Sequence, residues 1–163
     1  MNNSCSQDIE IASTDEDILA TWPVMRLLRP DVPESEYLIR VRIQEQEVGF
    51  HIAALRNSGE VVCVAGFRLC RSLGWGKFLY VDDLVTQEMQ RSQHYGSTMF
   101  AWLTDYARQQ GCVQLRLDSA VYRHRAHRFY LREGMDILCF HFGLALEPSS
   151  ALLSKLGGTG LVG

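Results

Sequence analysis

Residues 78–111, FLYVDDLVTQEMQRSQHYGSTMFAWLTDYARQQG, constrain the fold more than any other stretch. They open with strand alternation, in which Phe78, Tyr80, Asp82 and Leu84 face one way and Leu79, Val81, Asp83 and Val85 the other. Both faces are largely apolar, which suits an interior strand of a sheet covered on both sides. After Thr86 a polar loop over 87–96 breaks the pattern. Met99, Phe100, Leu103 and Ala107 then recur at helical spacing until Gly111 ends it. A strand, a basic loop and a helix in this order gather the first backbone N–H groups of the helix under Arg91 and His94. Those N–H groups are unpaired and lie at the positive end of the helix dipole, so the unit is an anion site suited to a phosphate.

The flanking sequence says what sheet this strand belongs to. Residues 8–12 alternate as a first strand. Thr14 is placed as an N-cap with Asp17 three residues on, and Ile18, Leu19, Trp22, Met25 and Leu28 make an amphipathic helix that Pro23 should kink or break. A turn over 29–33 leads to a second helix from about Glu34, with Tyr37, Leu38, Val41 and Ile43 as its apolar residues. Residues 49–57 and 60–71 are strands joined by Ser58-Gly59, a hairpin signal, and 73–76 turn the chain into the strand at Phe78. The centre of the chain is thus an antiparallel meander; a doubly wound nucleotide-binding fold would need helical crossovers there. A strand over 113–119 follows the helix and is the parallel neighbour of the Phe78 strand through a right-handed crossover. A helix over 122–133, ended by Gly134, and a last alternating strand over 136–146 complete the pattern.

These elements predict one α/β domain over residues 1–147 and a mobile or partner-docked tail, PSSALLSKLGGTGLVG, over 148–163. A chain of 163 residues with 47% hydrophobic and 21% charged residues can bury a core of ordinary size. The net charge of -3 argues against a nucleic-acid partner, and the basic run from Arg123 to Arg132 is a solvated helix face. Cys5, Cys63, Cys70, Cys112 and Cys139 are scattered and odd in number, so neither a disulfide framework nor a metal site is expected. Cys63, Cys112 and Cys139 lie in apolar strand patterns and are placed in the core. No leader pattern and no apolar run of about 20 residues is present, which predicts no membrane partner and a cytoplasmic location.

The loop R-S-Q-H-Y-G, with Arg91 first and Gly96 last, resembles the acyl-CoA pyrophosphate loop of the GNAT acyltransferase superfamily, Arg/Gln-x-x-Gly-x-Gly/Ala between a strand and a helix. His94 stands where the middle glycine is expected, a position that favours positive φ. A second block, A-H-R-F-Y-L-R-E-G-M from Ala126 to Met135, resembles the superfamily's Ala-x-x-Phe-Tyr-x-x-x-Gly-Phe segment, in the right order downstream. The resemblance implies a single-domain GNAT-like acyltransferase fold. That fold has a mixed, mostly antiparallel central sheet flanked by helices, with a parallel strand pair at the coenzyme site. It implies acetyl-CoA as acyl donor, held by Arg91, by the loop and helix amides of Ser92, Gln93, His94, Tyr95, Gly96 and Ser97, and by the backbone of Leu84 and Val85.

The same resemblance points to Tyr130 as the acid that protonates the departing thiolate; packing against Phe129 is the alternative. Asp82 and Asp83 are costly to bury inside an apolar strand, so at least one faces a wet cleft, a cation or backbone donors. One of them accepts the proton of an amine, Asp82 by preference; alternatively one binds an ammonium group and the other an arginine. His124 and His127 stand at i, i+3 on a helix without further ligands, and His51 and His141 are structural residues of strands. No Ser-His-Asp or Cys-His set supports a covalent acyl-enzyme. The sequence therefore predicts transfer of acetyl from acetyl-CoA to a primary amine in a ternary complex. A non-catalytic acyl-CoA-binding or regulatory module on the same fold is the alternative. The apolar last strand and tail leucines offer a homodimer surface.

Overall fold

A computed structural model of the chain describes residues 7–87, 94–144 and 146. Strand β1, Gln7–Ile11, is followed by helices α1, Asp15–Met25, and α2, Glu34–Val48. The Thr14 hydroxyl accepts from the Asp17 N–H at 3.1 Å and donates to its carboxylate at 2.7 Å, the reciprocal cap that the sequence spacing predicts. Pro23 lies inside α1, which continues only to Met25. Gly49, at φ 65°, ends α2 in the left-handed conformation.

Strands β2, Phe50–Asn57, and β3, Glu60–Ser72, form a hairpin whose two connecting residues, Ser58 and Gly59, both have positive φ. A type I′ turn requires that geometry. Strand β4, Gly76–Thr86, pairs antiparallel with β3; helix α3, Tyr95–Gln109, crosses over to β5, Gln114–Leu117, which pairs parallel with β4. Helix α4, His124–Arg132, follows. The sheet order is β1-β2-β3-β4-β5.

Both faces of the sheet are covered. Ile18, Val24 and Met25 of α1 and Tyr37 and Val41 of α2 pack on Ile52, Ala54, Val64 and Val85. Met99, Leu103 and Ala107 of α3 pack on Ala53, Leu55, Phe67, Leu79 and Val81. Neighbouring β2 residues thus feed opposite cores, which is why this strand is a continuous apolar run. The buried Thr21 hydroxyl, donating to the Ile18 carbonyl at 2.6 Å and lying 2.8 Å from the Tyr37 hydroxyl, ties α1 to α2. Burial pushes the Tyr37 phenol up to about 12.

Three expectations are corrected. The β4 alternation is interrupted: Gly66 pairs with Asp83 but Phe67 with Val81, so Asp82 is the extra residue of a β-bulge. Leu79 and Val81 face α3, yet so does Leu84, while Val85 faces α1 and α2. The bulge shifts the period by one and so sends both Asp82 and Asp83 to the α1/α2 face. Second, no strand forms over 136–144. Ile137, Leu138, Phe140, Phe142 and Leu144 alternate in sequence but are exposed. A strand needs a hydrogen-bonding partner as well as a pattern, and none pairs with this segment among the described residues. His141 is accordingly not a strand residue, and Cys139 is exposed rather than core, whereas Cys63 is buried and Cys112 half-buried. Third, α3 begins at Tyr95 with His94 as its N-cap, so Tyr95 and Gly96 belong to the helix and not to the loop expected over 87–96, and Ser97 is the third helical residue.

Candidate active site

The pairing of β4 with β5 stops at Val81 opposite Leu117. Beyond it the strands part, and residues 82–86 of β4 have no strand partner on that side among the described residues. A cleft of about 270 Å³ opens there, with Asp82, Asp83 and Leu84 on one wall and Asp118, Ser119 and Tyr130 on the other. A second cavity of about 220 Å³, under α1 and α2, is lined by Tyr37, Arg40, Gln44 and Phe50. Arg29, Asp82 and Asp83 line both, so the carboxylate pair is the partition between them.

Each carboxylate is held by its own arginine. Arg68 donates from Nε and Nη2 to the two oxygens of Asp82, both at 2.8 Å. Arg29 donates from Nε to Asp83 Oδ1 at 2.6 Å and from Nη2 to the Asp82 carbonyl at 3.1 Å. Asp83 is buried, and that burial raises its carboxyl above the usual carboxylate range, against the lowering by Arg29; Asp82 adds to the rise. Gly66, its cross-strand partner, has room for no side chain: a Cβ there would lie 2.5 Å from Phe50 Cζ and 2.7 Å from Asp83 Oδ2. The network extends outward from Asp82. The Arg68 guanidinium stands 5.1 Å from the centre of the Tyr80 ring, and the Tyr80 hydroxyl donates to Asp118 Oδ2 at 2.5 Å. His141 Nδ1 meets the same oxygen at 2.8 Å. Burial and the adjoining Asp118 push the Tyr80 phenol up, so it stays a donor.

Tyr130 projects from α4 into the cleft, and its hydroxyl has no hydrogen bond among the described residues. Burial raises its phenol and Arg123 opposes the rise. Phe129 beside it turns away to meet Phe100, with ring centres 6.1 Å apart, and approaches Gly96. His127 Nε2 lies 3.0 Å from the Ala120 carbonyl, which fixes the turn into α4, and its ring also meets that of His124.

Of the loop, Arg91, Ser92 and Gln93 lie outside the described residues. His94 adopts φ 61° and ψ 11°, the left-handed conformation favoured for glycine. Tyr95, Gly96 and Ser97 form the first turn of α3, at the positive end of its dipole; the Tyr95 side chain is buried. Ser97 Oγ donates to Glu133 Oε1 at 2.6 Å and joins α3 to α4. Leu84 and Val85 point their side chains into the cores on opposite faces, leaving the backbone at the cleft. The structure thus brings Asp82, Asp83, Leu84 and Tyr130 to one cleft. Sequence reasoning did not name Arg29, Arg68 or Ser119 as site residues, and it placed Arg123 on a solvated helix face rather than in the cleft. Two adjacent carboxylates in a buried strand did call for cations, but Arg29 is 54 positions away and no spacing rule reaches it.

A model of the acetyltransferase (GNAT) family matches residues 14–135. The chain belongs to this family. The uncharacterized N-acetyltransferase YhdJ of Bacillus subtilis is 30% identical over 118 residues, 72% of this chain and 83% of that protein. The aminoalkylphosphonate N-acetyltransferase of Salmonella typhimurium is 38% identical over 94 residues, 57% of this chain and 60% of that one. Among solved structures, an aminoglycoside N-acetyltransferase in complex with CoA superposes with a TM-score of 0.71 at 12% identity, covering 87% of this chain and 97% of its own. A ribosomal-protein-alanine N-acetyltransferase from Brucella melitensis gives 0.73 at 15%, with 86% and 99% covered. This GNAT chain is thus an acyltransferase by family, and the solved neighbours share its fold. No helix among its described residues is long and apolar enough to cross a membrane.

Proposed function

We propose that this GNAT protein transfers acetyl from acetyl-CoA to a small primary amine by direct attack within a ternary complex. The observation that carries the reading is the cleft where β4 and β5 part, with an unpaired Tyr130 hydroxyl on one side and the carboxylate pair on the other. The free backbone edge of β4 suits the amide-bearing arm of the donor. The amides at the start of α3, with Arg91, suit its pyrophosphate. CoA bound to a structural neighbour supports the donor, and the N-acetyltransferase names of the relatives support an amine acceptor. The Salmonella protein, named for aminoalkylphosphonates, favours a small molecule over a protein chain.

In this mechanism the neutral amine attacks the thioester carbonyl carbon, the C–S bond breaks, and the thiolate takes its proton from Tyr130. The phenol's raised pKa keeps it protonated until then. The amine's proton goes to a carboxylate. Asp82, preferred from sequence, has both oxygens engaged by Arg68. Asp83 binds Arg29 through Oδ1 alone, and its carboxyl is raised toward neutrality, so the base role falls to Asp83. Tyr130→Phe is the test: kcat should fall on the order of 10²-fold while the dissociation constant for acetyl-CoA stays within about twofold. A variant with undiminished kcat removes the assignment.

A further inference from the structure

The chain between β5 and α4 builds a second polar feature of the cleft. After Leu117 it turns tightly: the Arg123 N–H donates to the Ala120 carbonyl at 2.9 Å, the His124 N–H to the Tyr122 carbonyl at 3.0 Å, and His127 closes on Ala120. This turn sets Ser119 and Arg123 on the same cleft wall as Tyr130. Ser119 Oγ is the one buried side-chain oxygen or nitrogen without a hydrogen-bond partner among the described residues. Arg123 forms no ion pair or side-chain hydrogen bond among them and caps α4 through its backbone alone.

The charges around this pair are already matched. Arg29, the other cation lining the cleft, is committed to Asp83, and Asp118 is committed to Tyr80 and His141. An unmatched guanidinium beside an unmatched buried hydroxyl is the donor set for an oxyanion. The carboxylate pair of β4 stands across the cleft from it. We propose that Ser119 and Arg123 form an anion subsite that takes the carboxylate or phosphonate of a small zwitterionic acceptor, whose amine lies toward Asp83. This rests on the N-acetyltransferase reading and adds the acceptor's second charge to it. The guanidinium also lowers the Tyr130 phenol, which places its field at the reacting end of the cleft.

The test uses the full chain with saturating acetyl-CoA, thiol release as readout, and three acceptors: β-alanine, its phosphonate analogue and n-propylamine. The native protein should favour the two anionic amines by about tenfold or more in kcat/KM, the size of a charge-assisted hydrogen bond. Arg123→Gln and Ser119→Ala should each lower kcat/KM for the anionic amines through KM, Arg123→Gln about tenfold more than for n-propylamine, and Arg123→Lys should restore part of the loss. Arg123 is exposed, so its variants leave the cores intact. Transfer to all three amines without an anion preference overturns the subsite and leaves the enzymatic reading standing. A weakened acetyl-CoA affinity in Arg123→Gln, with acceptor KM unchanged, assigns the arginine to the donor and also overturns it. Transfer to no amine overturns the enzymatic reading and the subsite with it.

Discussion

Asp83 and Arg29, 54 positions apart in sequence, meet in the cleft, and under the proposed mechanism this contact sets the pH range of activity. Burial raises the carboxyl of Asp83, and the guanidinium of Arg29, 2.6 Å away, opposes that rise. A base must be ionised, so activity should fall as pH drops through the Asp83 pKa. Replacing Arg29 by Met removes the lowering influence, and the acid limb of kcat/KM should move to higher pH, while Arg29→Lys should stay nearer the native profile. An unmoved limb in Arg29→Met assigns it to the acceptor amine instead and removes Asp83 as base. The sequence disclosed the two carboxylates and the need for a cation, because charge inside an apolar strand is costly. It did not disclose which arginine, because helix α2 and strands β2 and β3 lie between the two residues in sequence. For His94 the sequence left two outcomes open, positive φ or a reshaped loop, and the residue itself adopts φ 61°.

At the scale of the element, β4 organises the site through its bulge. Without the extra residue Asp82 and Asp83 would point to opposite faces; with it they share one wall. Gly66 makes the geometry possible, since its missing side chain is the space taken by Phe50 and Asp83 Oδ2. Gly66→Ala should therefore destabilise the fold by about 2 kcal/mol, seen as a fall in Tm of roughly 4–8 °C, and reduce turnover as Asp83 shifts. A Tm equal to the native value would show that the bulge tolerates a side chain and that Gly66 does not set the carboxylate. Elements governed by local chemistry were readable in advance. Thr14 and Asp17 announced the start of α1, and Ser58-Gly59 announced the hairpin. The bulge was not readable, because alternation assumes a uniform period and only the neighbouring strand reveals the extra residue. The segment 136–144 failed for a related reason: Phe140 and Phe142 keep the pattern of a strand, but pattern does not supply a partner.

For the whole molecule, the parting of β4 from β5 opens the sheet into the cleft where the proposed reaction takes place. In the proposed mechanism donor and acceptor meet at the carboxylate partition, and no cysteine is among the described residues that line the two cavities. Cys63, opposite Thr86 at the parted end of β4, is buried and its thiol is pushed up to about 11, which suits a core residue and not an acyl carrier. Direct transfer requires both substrates to be bound at once. The most direct measurement is the initial rate of acetyl transfer with acetyl-CoA and a small amine varied independently. The account predicts double-reciprocal lines that intersect, and no acetylated protein when the amine is left out. Parallel lines, with acetylated protein accumulating in the absence of the amine, would contradict it.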